Sequence, residues 1–200
     1  PKTIDMDLAG TEYSLGFDTA INIITEEIDR LRTTAGSHGR IFVVETMGRH
    51  AGWLALRGGE CSGAYIILIP EHPFDMDKVC LLLRERKGRE INYSIIVVAE
   101  GAKYNAAKLD EYFRQHRERL GFDLRMTILG HVQRGGNPGA YDRILASRLG
   151  SAAVDVLVSG EYGVLVGMLQ SETRTTPLEE VIHNKKKVDL SLFELAKVLD

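Results

Sequence analysis

The run Ser94-Ile95-Ile96-Val97-Val98-Ala99 does most to narrow the folds open to this chain. Six residues are too few and too uniformly apolar for an amphipathic helix, so the run reads as a central parallel strand. Three other apolar runs behave alike. Ile41 to Val44 leads through Glu45-Thr46-Met47 into Gly48-Arg49, Ala64–Ile69 ends in Pro70-Glu71-His72, and Met126–Leu129 ends in Gly130-His131-Val132-Gln133-Arg134-Gly135-Gly136. Ser94–Ala99 itself stops at Glu100-Gly101. Helix-period segments stand between the runs, which predicts an α/β chain with parallel-sheet layers flanked by helices. Ligands of such sheets bind at the carboxyl ends of the strands. Turns bearing Arg49, Glu100, His131 and Arg134 therefore describe a site for a polar, anionic small molecule.

Two of these turns could hold the anion through backbone groups. A strand that stops at Gly48 can turn without a Cβ clash, and a helix opened by Arg49 would aim free N–H groups and positive dipole at a phosphate. An ordinary βα turn with a solvated arginine is the plain alternative, and repetition at later strand ends weighs against it. Gly130 to Gly139, with glycines at 130, 135, 136 and 139, can form an anion nest completed by His131 and Arg134, or a flexible loop. Pro1 to Asp7 packs Lys2, Thr3, Asp5 and Asp7 into seven residues, offering a base, a donor and a metal-side charge, or else a helix-capping surface turn. Arg40 precedes its strand, at the end of the sheet away from these turns. From there it would serve a neighbouring subunit's site better than its own.

The remaining segments read as packing. Asp18–Arg32 is predicted as an amphipathic helix, Thr33–Gly39 as a loop, and Arg49–Arg57 as a short helix with Trp53 in the core. Asp75–Lys87, Ala106–Leu120 and Ala140–Val158 follow as helices, the last with Arg143 and Arg148 paired to Asp142 and Asp155. Gly163–Leu169 is predicted as a strand. Pro177–His183 and Ser191–Leu199 are expected as terminal helices joined by a solvated Asn184-Lys185-Lys186-Lys187.

A hydrophobic fraction of 44% over 200 residues supports one or two packed cores, and a formal charge of −3 without a basic segment gives no support to a nucleic-acid or membrane-surface role. Cys61 and Cys80 lack metal-ligand spacing and suit buried thiols in a reducing cytoplasm. No apolar run approaches the ~20 residues of a membrane span. The chain begins at Pro1 within a loop-like stretch, which suggests a fragment.

Taken together, Pro1-Lys2-Thr3-Ile4-Asp5-Met6-Asp7, Val44-Glu45-Thr46-Met47-Gly48-Arg49, Ala99-Glu100-Gly101, Leu129 to Gly136 and Tyr141-Asp142-Arg143 resemble the 6-phosphofructokinase family, nearly end to end and in family order. The resemblance implies the carboxyl-terminal part of such an enzyme, without the Gly-Gly-Asp phosphate and magnesium loop. It implies two lobes with the chain crossing between them: residues 17–131 as the sugar-phosphate-binding lobe, 1–16 and 132–183 as parts of the donor-binding lobe, and 184–200 as a tail. It also implies a cytoplasmic homodimer or homotetramer that phosphorylates fructose 6-phosphate at its 1-hydroxyl, with Mg2+ and with pyrophosphate or ATP as donor.

Residue by residue, Asp5 matches the family's base, Thr3 a contact near the transferring phosphoryl, and Asp7 the acid on the magnesium side. Met47, Gly48 and Arg49 match contacts to the sugar phosphate at the reacting end, and Glu100 a hydroxyl acceptor. His131 with Arg134 matches the 6-phosphate site, and Arg40 and Arg125 match arginines contributed by a neighbouring subunit. Lys2 stands where many ATP-dependent members have glycine and resembles the lysine of the pyrophosphate branch, so pyrophosphate is slightly favoured, although some ATP users carry the lysine too. Met6 replaces the family's usual asparagine. A non-catalytic sugar-phosphate-binding or regulatory chain is the rival from another class, and a dinucleotide oxidoreductase is remote because no GxGxxG follows a strand.

Overall fold

The computed structural model describes residues 1–89, 91, 93–116 and 124–191. Its main sheet has the order β2-β3-β1-β4, with β1 at Ile41–Thr46, β2 at Ile66–Leu68, β3 at Ser94–Ala99 and β4 at Leu124–Ile128. Every pairing is parallel. Strand β3 is fully buried and lies inside the sheet, as its unbroken apolar sequence requires. Alternation divides its side chains between two cores. Ile95, Val97 and Ala99 pack with Phe42 and Val44 against α1 (Phe17–His38) and α2 (Trp53–Cys61). Ile96 and Val98 pack with Ile41 and Val43 against α3 (Met76–Gly88) and α4 (Ala106–Gln115). Each fully buried aliphatic or aromatic side chain contributes about 1.5–3 kcal/mol, so this doubly covered sheet is the rigid base of the molecule.

Register then positions the turns. Thr46 pairs with Ala99, so β1 and β3 end level and deliver Met47-Gly48-Arg49 beside Glu100-Gly101. Glu45 pairs with Ile128, and Leu129 donates to the Glu45 carbonyl, which brings the Gly130 segment to the same edge. Arg125 pairs with Phe42, near the start of β1, and so shares the opposite edge with Arg40.

A second, antiparallel sheet joins β5 (Val164–Leu169) to β6 (Glu172–Pro177). The helix α5 (Ala140–Val158) packs on it, as Leu145 and Leu149 meet Met168 with Tyr13 and Leu15 alongside, and α6 (Leu178–His183) follows. The outer side of α5 leaves Ile144, Leu157 and Val158 exposed. No helix among the described residues is long and apolar enough to cross a membrane.

Several expectations change. α1 runs past Arg32 to His38, because buried Ala35 anchors its last turns and the stop comes at left-handed Gly39, φ 60°. α2 starts at Trp53, not at Arg49. Gly48 (φ 132°) and Arg49 (φ 52°) both lie on the left-handed side, so the chain turns twice before a helix can begin. β6, polar and largely exposed, is a strand that no apolar alternation announces. Asp142 and Arg143 do not pair, since adjacent helical residues diverge: Arg143 donates to the Pro138 carbonyl (2.8 Å) and Arg148 to that of Ser171 (2.9 Å). Cys61 is exposed where a buried thiol was expected. The stretch 117–120 of the fourth expected helix, and nearly all of the Ser191–Leu199 helix, lie outside the described residues.

The lysine run also departs from a solvated joint. The Lys186 ammonium donates to the carbonyls of Thr11 (3.0 Å) and Glu12, and lies 5.4 Å from the Trp53 ring centroid. Burial lowers its pKa to about 8, against the pull of the Glu12 charge.

Candidate active site

The Arg49 turn is held from three directions. Its N–H donates to Glu100 Oε1 at 2.8 Å, and its carbonyl lies so close to Gly101 that a Cβ there would collide with it. Behind it, the Gly52 N–H donates to both oxygens of Glu71, at 2.8 and 3.1 Å. The protein's own carboxylate thus occupies the amino terminus of α2, where the sequence suggested a phosphate. The guanidinium itself is left outward, its side chain 71% exposed.

The Gly130 segment is also not the expected nest. Gly130–Arg134 winds into a 3-10 helix whose Gln133 is buried and bridges two turns: Nε2 donates to the Gly130 carbonyl (2.9 Å) and Oε1 accepts from the Met47 N–H (3.2 Å). Gly136 serves packing, since a Cβ there would strike Ile23 of α1.

Asp5 is buried, although a carboxylate normally stays in water. Its N–H donates to Thr3 Oγ1 (3.1 Å), and Ser14 Oγ donates to the Thr3 carbonyl (2.7 Å), which sets the segment's path. Asp5 Oδ2 lies 3.6 Å from Arg49 Nε, while Oδ1 is buried with no hydrogen-bond partner. Burial and then the Asp7 charge push this carboxyl above its ordinary pKa, opposed by Arg49 and Arg134 and aided by Glu100. A carboxylate held dry, with one oxygen uncommitted, is equipped to accept a proton. Met6 next to it is buried and left-handed, φ 58°, a conformation asparagine adopts more readily than methionine.

These groups share one cleft of about 770 Å³, within the range of small-molecule sites. Lys2, Thr3, Asp5, Asp7, Arg49 and Arg134 all line it. Glu100 reaches it through the Arg49 backbone, and Met47 and Gly48 form the buried stem of that turn. His131 is exposed, and neither it nor Glu100 lines the cleft, so of the expected pocket of Arg49, Glu100 and His131 only Arg49 does, with Glu100 bonded to its backbone from behind. Arg40 and Arg125 stand at the far sheet edge.

Sequence reasoning missed three contributors, Gln133, Arg143 and Asp142, which also line the cleft. Asp142 accepts from the N–H groups of Gly16 (2.9 Å) and Thr19 (3.0 Å) and from the Thr19 hydroxyl, and so caps α1 from 126 and 123 residues away. Its place in Tyr141-Asp142-Arg143 was the only available signal. Among the described residues no three His, Cys, Asp or Glu side chains stand together as a metal-ion site.

The cleft thus sets a buried carboxylate beside Arg49 and Arg134 at the strand ends of an α/β sheet. The Phosphofructokinase family model matches residues 1–157, and the chain belongs to that family. The whole chain is 50% identical to ATP-dependent 6-phosphofructokinase 1 of Thermus thermophilus, spanning 61% of that protein. It is 43% identical, over 97% of its length, to the ATP-dependent 6-phosphofructokinase of Mycobacterium leprae, spanning 62% of it. Among solved structures, Saccharomyces cerevisiae phosphofructokinase superposes with a TM-score of 0.84 at 34% identity, over 99% of this chain and 26% of that one. The pyrophosphate-dependent phosphofructokinase of Marinobacter aquaeolei gives 0.82 at 27% identity, over 96% and 53%. The chain therefore spans less than two thirds of these relatives.

Proposed function

We propose that this chain is the sugar-phosphate-binding and base-bearing part of a 6-phosphofructokinase, which converts fructose 6-phosphate to fructose 1,6-bisphosphate. The carrying observation is Asp5, buried with a free Oδ1 in a cleft shared with Arg49 and Arg134. In this reading Asp5 takes the proton of the sugar 1-hydroxyl as its oxygen attacks the donor phosphorus, and the donor's P–O bond breaks. Arg49 meets charge on the moving group, and Arg134 holds the 6-phosphate from the cleft, with exposed His131 of the same 3-10 helix adding charge from outside the lining. Glu100, Met47 and Gly48 orient the sugar. Phosphoryl transfer asks mainly for such positioning and charge.

Magnesium fits part of the inventory. Such an ion takes one or two carboxylates together with substrate phosphates, and Asp7, which lines the cleft with Asp5, would supply that side of it. When bound, the ion would neutralise donor phosphate charge.

ATP is the donor we assign, because relatives 43–50% identical carry ATP-dependent names, and those named pyrophosphate-dependent are more distant at 26–27%. Lys2 supports pyrophosphate as a second reading: it lines the cleft, and an ammonium there would position a donor that has no nucleoside to anchor it. Turnover of fructose 6-phosphate by the complete protein with magnesium, measured under each donor separately, decides. Activity with ATP alone supports the first reading, activity with pyrophosphate alone the second, and none with either removes both.

The fold division follows the same reading, with 17–131 as the sugar-phosphate lobe and 1–16 with 132–183 as part of a donor lobe. Exposed Ile144, Leu157 and Val158 on α5 support it by offering an apolar face for the rest of that lobe. Arg40 and Arg125, at the sheet edge away from the cleft, support shared sites in a homo-oligomer. Co-assembling Arg40→Ala and Asp5→Asn subunits is then expected to restore part of the activity that each lacks alone. No restoration in proven mixed oligomers would reject shared sites.

A further inference from the structure

We propose that Lys186 is a positioning residue that locks the Asp5 segment against the turn presenting Arg49, an inference that rests on the function proposed above. Beyond α6 the chain returns across the amino-terminal segment as a strap. Leu8 and Lys185 form an antiparallel bridge, the Lys186 N–H donates to the Asp7 carbonyl at 3.3 Å, and Val188 is buried in the core that also holds Ile4 and Met6. The Lys186 side chain then spans the gap. Its ammonium donates to the Thr11 carbonyl (3.0 Å) and the Glu12 carbonyl on one side and stands over the Trp53 ring on the other.

One end of that span lies in the segment after Asp5 and the other just beyond the Arg49 turn. Thr11 and Glu12 close the segment that starts at Lys2, and Trp53 is the first residue of α2, joined through Gly52 to the Arg49 turn. Asp5 and Arg49 face each other at 3.6 Å, a long separation that no direct hydrogen bond fixes. The relation between their segments has to be set by neighbours, and Lys186 touches both segments at once. Two carbonyl contacts and a cation–π contact, all to one half-buried charged head, make a specific clasp rather than a freely solvated lysine.

The test compares Lys186→Met, Lys186→Arg and the exposed neighbour Lys187→Met in the complete protein. Lys186→Met keeps the side chain's length and loses the charge; it is expected to lower kcat about ten- to a hundredfold, as small misplacements of reacting groups do, with KM for fructose 6-phosphate changed by less than about twofold. Lys186→Arg should return kcat to within about threefold of wild type, and Lys187→Met should match wild type. A kcat for Lys186→Met within twofold of wild type, or equal losses in Met and Arg variants together with an equal loss of thermal stability, overturns the proposal. Trp53 is the only tryptophan of the 200-residue sequence, so emission from a chain of that extent reports the clasp without turnover. It should shift in Lys186→Met and hold in Lys186→Arg, and an unshifted emission in the Met variant overturns the contact itself. A wild-type protein inactive with both donors rejects the functional reading, and this catalytic role with it, while a shifted emission would still uphold the clasp.

Discussion

Replacing Asp5 by asparagine is expected to cut turnover about 10²–10⁴-fold while leaving KM for the sugar phosphate nearly unchanged and making the protein more stable. The first effect follows from losing the proton acceptor while keeping its shape. The second follows from linkage. Burial and Asp7 raise the folded pKa of Asp5 above 3.8, so the folded state binds its proton more tightly than the unfolded chain does. Ionised Asp5 therefore costs stability at every pH above its folded pKa, and the cost is relieved as pH falls from that pKa toward 3.8. Asparagine removes the charge at all pH values. Calorimetry near neutral pH should show a higher Tm for Asp5→Asn than for the wild type. The same raised pKa places the acid limb of the wild-type pH profile above the ordinary carboxylate range. Turnover within tenfold of wild type, about 1.4 kcal/mol of barrier, would dismiss Asp5 as the base.

Asp142→Ala carries the largest expected loss of stability. Gly16 brings no side chain to cap α1, and the buried Asp142 carboxylate accepts two backbone N–H groups and the Thr19 hydroxyl in its place. Truncation orphans all three donors at a buried helix end. Hydrogen bonds to charged groups contribute about 1.5–3 kcal/mol each and do not add fully, so urea unfolding should show a loss of about 3 kcal/mol. Asp142→Asn, which keeps one acceptor, should lose about half as much. A loss below about 1 kcal/mol in Asp142→Ala would mean that α1 is capped by other means.

What the sequence made legible were features whose cause is local. Ser94–Ala99 reads as a buried strand because no other six-residue element hides apolar side chains on both faces, and the density of Lys2, Thr3, Asp5 and Asp7 left chemistry and a capping turn equally open, with all four lining the cleft. Partners distant along the chain left no such trace. Glu71 fills the α2 terminus from 19 residues away and Asp142 caps α1 from 126, and neither distance has a sequence signature. β6 escaped notice for another reason. Its hairpin turns through Gln170 (φ 51°) and Ser171 (φ 65°), residues that rarely adopt that geometry, in place of the Asn-Gly that announces such turns. Arg49 was misread as helical for a related cause, since a left-handed arginine after a glycine cannot be inferred from composition.

The filled α2 terminus bears on how an anion would be received. With Glu71, Glu100 and Gly101 fixing the backbone around Arg49, little main-chain entropy remains to be lost when a phosphoryl group arrives. Only the outward guanidinium has to be ordered, at roughly 2 kcal/mol for so long a side chain. The perch is stiff, and among the described residues the guanidinium beyond it is engaged only by its 3.6 Å approach to Asp5. In the proposed reaction such a division would let Arg49 follow the group from donor to acceptor, which a ring of fixed backbone N–H donors at a helix end could not do.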